Sequence, residues 1–128
     1  MYICHMMRKL IDNTRRPDIS FHRNGRIRIN ARIVRALAIK PGDAINIAVS
    51  NGEYLLYAIH LPQHAGRHEA QCQPTNRGGH NYCAFSVRLC AALFEACGIS
   101  NRRASFMTGE PITTENDTYI PIITRRPL

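Results

Sequence analysis

The stretch GRIRINARIVRALAIKPGDAINI, residues 25–47, decides the fold. Arginine alternates with isoleucine over Arg26–Ile29, the pattern of a strand with one apolar face. Asn30 is a suitable helix N-cap, and Ile33, Val34 and Leu37 form a short apolar helix face. Pro41-Gly42 ends that helix, after which Ile45, Ile47 and Val49 alternate as a half-buried strand. Upstream, Asn24-Gly25 separates ISFHR from RIRI, the signal for a two-residue type I′ hairpin. That register predicts Arg23 opposite Arg26, Phe21 opposite Arg28 and His22 opposite Ile27. Arg23, Arg26 and Arg28 then share one face, and Ile27 and Ile29 share the other with Ser20 and His22. Downstream, Asn51-Gly52 is a second hairpin signal, returning into EYLLYAI. The first 60 residues therefore read strand–strand–helix–strand–strand.

Charge is localised rather than spread. The 128-residue chain has a formal net charge of +8, and residues 1–40 hold ten Lys/Arg against two Asp/Glu. The remainder is close to neutral, with seven Lys/Arg against seven Asp/Glu. A patch of this kind points to an anionic partner, nucleic acid first. Opposed arginines on a strand pair are unfavourable by roughly 0.2–1 kcal/mol, which makes sense where phosphates supply the counter-charge. No apolar run approaches the roughly 20 residues that span a bilayer, so no membrane association is expected. The N-terminal stretch has no signal-type apolar region, because Arg8, Lys9 and Asp12 interrupt it. Five cysteines without a C-x-x-C pair fit reduced thiols in a cytoplasmic protein.

The chain divides into an N-terminal basic segment (1–18), a first half (19–60), a linker or long loop (61–80) and a second half (81–128). The linker is rich in Gly, Pro, Gln and His. In the second half the order of elements recurs: NYCAF reads as a strand, and Ser86 caps a helix with Val87, Cys90, Ala91, Phe94 and Cys97 at helical spacing. Gly98 terminates it, and SFM and DTYIPII are the returning strands. A shift of 56 residues pairs Arg32-Ile33 with Arg88-Leu89 and Ala36-Leu37 with Ala92-Leu93, the pattern of an internal duplication.

Gly25, Arg26, Ile27, Ile29, Ile33, Arg35, Leu37, Ile39, Gly42, Asp43, Ile45 and Ile47 together resemble the AbrB/SpoVT/MazE-like family of swapped-hairpin DNA-binding proteins. The resemblance covers roughly residues 19–60, and Asn30 stands where the family has proline. It implies an α+β, mainly β fold: a small β-barrel with short helices, formed by two ββαββ units that exchange hairpins. In this chain the partner unit is either a second copy, giving a homo-dimer, or residues 81–128, giving a fused pseudo-dimer. It also implies a transcriptional regulator that contacts double-stranded DNA through Arg23, Arg26, Arg28, Arg32 and Arg35. The presumptive second copy lacks that charge, with Tyr82, Cys83 and Ala84 where the first has Arg26, Ile27 and Arg28. The alternative within the same fold is a structural or protein-interaction module that docks an acidic partner on the basic hairpin.

Other chemistry is sparse. His60, His64, His68 and Cys72 recur every fourth residue, the spacing of a helical zinc site, but Pro62 and Gly66 interrupt a helix there, and a polar loop is the simpler reading. Cys90 and Cys97 suit core packing. Carboxylates are few and scattered, and there is no P-loop or dinucleotide fingerprint. No cofactor and no enzymatic activity are expected. Arg102-Arg103 and Arg125-Arg126 read as solvated surface.

Overall fold

The computed structural model describes residues 16–62 and 66–124, which form nine strands and two helices of an α+β, mainly β fold. The first hairpin joins β1 (Ile19–His22) and β2 (Arg26–Ile29). It pairs Ile19 with Ile29, Ser20 with Arg28 and Phe21 with Ile27. This is one residue away from the register expected of a two-residue turn. The loop is instead Arg23–Gly25, closed by the Gly25 N–H donating to the His22 carbonyl at 2.9 Å. Asn24 Oδ1 accepts from the Arg26 N–H at 3.0 Å. Gly25 has φ +101°, a conformation that L side chains rarely adopt, and a Cβ there would lie 2.9 Å from the Val87 nitrogen.

Burial decided the register. The two-residue turn would set Ile19 and Phe21 beside arginines, and Ile27 and Ile29 beside Ser20 and His22. The observed register gathers Ile19, Phe21, Ile27 and Ile29 on one face, all essentially buried. A one-residue slip exchanges the faces of a strand. Each buried side chain of this size is worth about 1.5–3 kcal/mol, more than a turn preference supplies.

The next elements follow the sequence reading. Asn30 Oδ1 accepts from the Ile33 N–H at 3.1 Å and starts α1 (Ala31–Ala36). β3 (Ala44–Ser50) and β4 (Glu53–Ile59) pair around Asn51-Gly52, with Ser50 opposite Glu53. Both turn residues have positive φ, 51° and 78°, as a two-residue primed turn requires. The turn forms as the dipeptide signals, but the expected half-buried alternation holds only for the first part of β3: Ile45 is buried and Ile47 half-buried, while Val49 is 63% exposed.

Within the stretch expected as a linker or long loop, residues 66–80 pack against the fold. Ala70 and Cys72 enter the core. The backbone around them bonds to the start of β3: Cys72 N–H donates to the Asp43 carbonyl at 2.7 Å, and Ile45 N–H to the Ala70 carbonyl at 3.1 Å. After β5 (Gln73–Pro74) come β6 (Tyr82–Phe85) and α2 (Val87–Cys97). Ser86 Oγ caps α2 by accepting from the Leu89 N–H at 3.0 Å, and Gly98 ends it with φ 67°. β7 (Arg103–Phe106), β8 (Ile112–Thr113) and β9 (Thr118–Ile122) complete the chain.

Among the described residues the strands form two antiparallel sheets and no closed barrel, which corrects the barrel expected from the resemblance. One sheet has the order β5-β6-β2-β1-β7 and the other β3-β4-β9-β8. Single bridges, Ala44 with Gln71 and Thr108 with Ile122, tie the sheets at two corners. Strands from residues 19–60 thus pair with strands from residues 81–128 in both sheets. One core, with Phe21, Ile33, Leu56, Phe94 and Phe106, lies between the sheets and helices. Nothing in the topology separates the two halves into independent cores.

Candidate nucleic-acid interface

The alternation of β2 buries Ile27 and Ile29 and exposes Arg26 and Arg28. The register then builds the rest of that outer face. Ser20 and His22 come from β1; Ser105 stands opposite Ser20, and Arg103 opposite His22, on β7. From the other side β6 sets Cys83 opposite Arg28 and Phe85 opposite Arg26. Ser20 and Ser105 share a hydroxyl hydrogen bond at 2.8 Å. Among the described residues Arg26, Arg28 and Arg103 form no ion pair. Their charge is therefore presented to solvent.

Part of this face is concave. A groove of about 670 Å³ is lined by Arg16, Arg28, Arg32 and Arg103, with His22 and Asn81 among its polar groups. Asp18 is the acidic residue in its wall, and that carboxylate is occupied. Asp18 Oδ1 accepts from Asn30 Nδ2 at 2.8 Å, and Oδ2 from the Thr108 N–H and hydroxyl, both at 2.9 Å. Arg32 approaches the same carboxylate at 3.9 Å and Glu110 at 4.0 Å. Arg32 is thus partly neutralised, whereas Arg28 and Arg103 are not.

The five arginines singled out in the sequence separate accordingly. Arg28 and Arg32 line the groove, and Arg26 stands beside it on the same strand face. Arg23 does not share that face, because the three-residue turn directs it elsewhere. Its Nε donates to the Asn101 carbonyl at 2.8 Å, and one Nη to the Ile99 carbonyl at 2.6 Å. The guanidinium lies 4.8 Å from the centre of the Phe94 ring. Arg23 therefore ties the hairpin to the end of α2 and is a structural residue. Arg35, in the last turn of α1, is exposed and does not line the groove. Arg125 and Arg126, the N-terminal segment before Arg16, and His64 lie outside the described residues.

The metal candidates go to separate places. His60 Nδ1 is 2.7 Å from Asp43 Oδ2, and the His68 ring contacts the Glu69 carbonyl at 3.1 Å. Cys72 is fully buried, and burial, then Asp43 and Cys83, push its thiol up to about 12. Among the described residues no three His, Cys, Asp or Glu side chains converge on a metal position. The thiols of Cys90 and Cys97 are also pushed up, chiefly by burial, which suits packing rather than nucleophilic chemistry.

No family model matches the chain, and no curated protein or solved structure matches it either. The outer face is therefore read from its own chemistry. That face includes residues which sequence reading passed over. Arg103 reads as solvated surface in the sequence, and only the β1–β7 pairing brings it beside His22. Phe85 is 61% exposed, while Phe21, Phe94 and Phe106 are 1% exposed or less. Its ring tip and Val87 pack over Gly25, leaving an apolar spot next to Arg26. Alternation within NYCAF was the available signal for Phe85, and no local signal existed for Arg103. No described helix is long and apolar enough to cross a membrane.

Proposed function

We propose that this chain binds double-stranded DNA through the outer face of its five-stranded sheet and acts as a cytoplasmic transcriptional regulator. The observation that carries the reading is the basic face formed by Arg26, Arg28 and Arg103, which make no ion pair among the described residues. Phosphates would supply the counter-charge that the described residues do not. Phe85 and the polar groups of the groove then meet base edges or sugars, while the arginines dominate affinity.

The swapped-hairpin reading belongs to this proposal, with residues 81–128 as the second unit of a pseudo-dimer. Two features support it. In the β2–β6 pair Arg26 faces Phe85 and Ile29 faces Tyr82, so a 56-residue shift carries one pair into the other. The caps obey the same shift: Asn30 accepts from the Ile33 N–H and Ser86 from the Leu89 N–H.

The test is duplex binding across a salt series. Log affinity should fall steeply and linearly with log salt, with a slope of about −0.9 per phosphate neutralised. Arg28→Ala and Arg103→Ala should each make that slope shallower by about one. Salt-independent binding, or no binding to duplex DNA, would overturn the proposal.

A further inference from the structure

His22 is unusual in two respects. Its Nε2 is buried and, among the described residues, is the one buried side-chain nitrogen or oxygen without a hydrogen-bond partner. Among the described residues the charges that bear on it are guanidinium groups: Arg103 directly opposite on β7, and Arg26 and Arg28 on β2; the Asp18 carboxylate in the same groove wall is held by Asn30 and Thr108. From α2, the Cys90 sulfur faces the His22 backbone N–H. In this setting burial, followed by the charges of Arg103, Arg26 and Arg28, holds the imidazole below its usual protonation range.

The groove beside His22 presents Arg28, Arg32 and Arg103. An anion seated among them reverses the local potential that keeps the imidazole neutral. We propose that this groove seats a phosphate-class anion and that seating it draws a proton onto His22. The inference rests on the DNA-binding reading for one source of that anion, the duplex backbone; a free tetrahedral oxyanion is the other.

The sign follows from linkage. The protonated form of His22 is disfavoured while the groove is empty and favoured when it is filled, so binding takes up a proton and tightens as pH falls. The window lies around the ordinary imidazole value and below it.

The experiment has two arms on the full chain. In the first, affinity for a 20-base-pair duplex is measured by anisotropy from about pH 8 to about pH 5.5 at constant ionic strength. Wild type should tighten as pH falls, by up to about tenfold per pH unit, the limit for one proton. His22→Gln should bind with a flatter pH profile while keeping its salt dependence. In the second, the His22 ring is followed by NMR as sodium sulfate replaces chloride at equal ionic strength, sulfate being a tetrahedral dianion that does not itself titrate there. A rise in the pH at which His22 titrates with sulfate places the site in the groove and shows that a free anion suffices. A rise with duplex alone assigns the seat to backbone phosphate. If duplex binding is equally pH-dependent in His22→Gln, or if neither anion moves the His22 titration, the inference fails. Failure of wild type to bind duplex overturns the DNA reading separately, and the sulfate arm then decides the groove alone.

Discussion

Arg23 lies over Phe94, with its guanidinium carbon 4.8 Å from the ring centroid, and donates to the carbonyls of Ile99 and Asn101. One side chain thereby joins the tip of the first hairpin to the loop that follows α2. One of the five arginines expected from the sequence to contact DNA is thus engaged in holding two elements together.

Arg23→Ala is expected to lower stability by about 1–2 kcal/mol, from two charge-assisted hydrogen bonds and one cation–π contact at a partly open site. Thermal unfolding should show a fall of several degrees, while the salt slope of DNA binding stays within error of wild type. Arg28→Ala should show the reverse pattern. If Arg23→Ala lost a phosphate contact without losing stability, the assignment of Arg23 as a structural tie would be wrong.

Phe21→Ala should cost about 3–5 kcal/mol, the usual loss for a large aromatic in a closed core. Phe21 faces Ile27 and packs edge-on against Phe106 at 6.0 Å between ring centres. A two-residue turn would instead set Phe21 against Arg28, where truncation would be cheap. Chemical denaturation therefore reads out the hairpin register directly.

Gly25→Ala combines a φ of +101° with a Cβ 2.9 Å from Val87 nitrogen and side chain. Strain of this kind costs about 1–3 kcal/mol, and the nearest atoms include backbone that cannot step aside. Gly42→Ala also has positive φ, +92°, but meets nothing within 4 Å. Denaturant midpoints should therefore fall further for Gly25→Ala than for Gly42→Ala.

Asp43 is buried at the turn before β3, where burial raises its proton affinity. Hydrogen bonds from the Lys40 N–H, the His60 ring and the Leu61 N–H outweigh that and hold the carboxyl below its ordinary range. Its folded value is depressed, so its contribution is present above the unfolded carboxylate value of about 3.9. That contribution is lost as pH falls through the lower folded value. Acid unfolding of Asp43→Asn should accordingly show a weaker pH dependence below about pH 4 than wild type. At neutral pH Asp43→Asn should be the less stable protein, by about 1–3 kcal/mol for unsatisfied buried donors.

His60 and Cys72 give a further check on the four-residue His/Cys spacing. His60 is engaged with Asp43 and Cys72 is enclosed in the core. Exhaustive dialysis against a zinc chelator should leave the unfolding temperature unchanged. A drop that zinc restores would show a site that the described residues do not assemble.

Much of the local structure was legible because independent local signals agreed. Asn30 and Ser86 are caps where a polar side chain precedes an apolar helix face. Asn51-Gly52 makes a two-residue turn in a register that leaves Ile45 and Leu56 buried, with Val49 beside the turn exposed. At Asn24-Gly25 the same dipeptide takes a three-residue loop, because that register alone places Ile19, Phe21, Ile27 and Ile29 together. The turn signal carries a smaller energy than the burial of four large side chains, so burial prevailed. The packing of residues 66–80 was not legible for a related reason: Ala70 and Cys72 are buried through backbone pairing with residues 43–45, a contact without local periodicity.

The amino-acid sequence by itself determined the alternation of β2, both helix caps, the β3–β4 hairpin and the concentration of positive charge in the first third. These depend on neighbours within a few positions along the chain. Tertiary structure alone decided which arginines share a face. Arg103 joins Arg26 and Arg28 because β7 pairs with β1 across some eighty residues, and Arg23 leaves them because the core set the hairpin register. Charge is a property of residues, whereas a charged surface is a property of register, and register is settled by what the opposite face must bury.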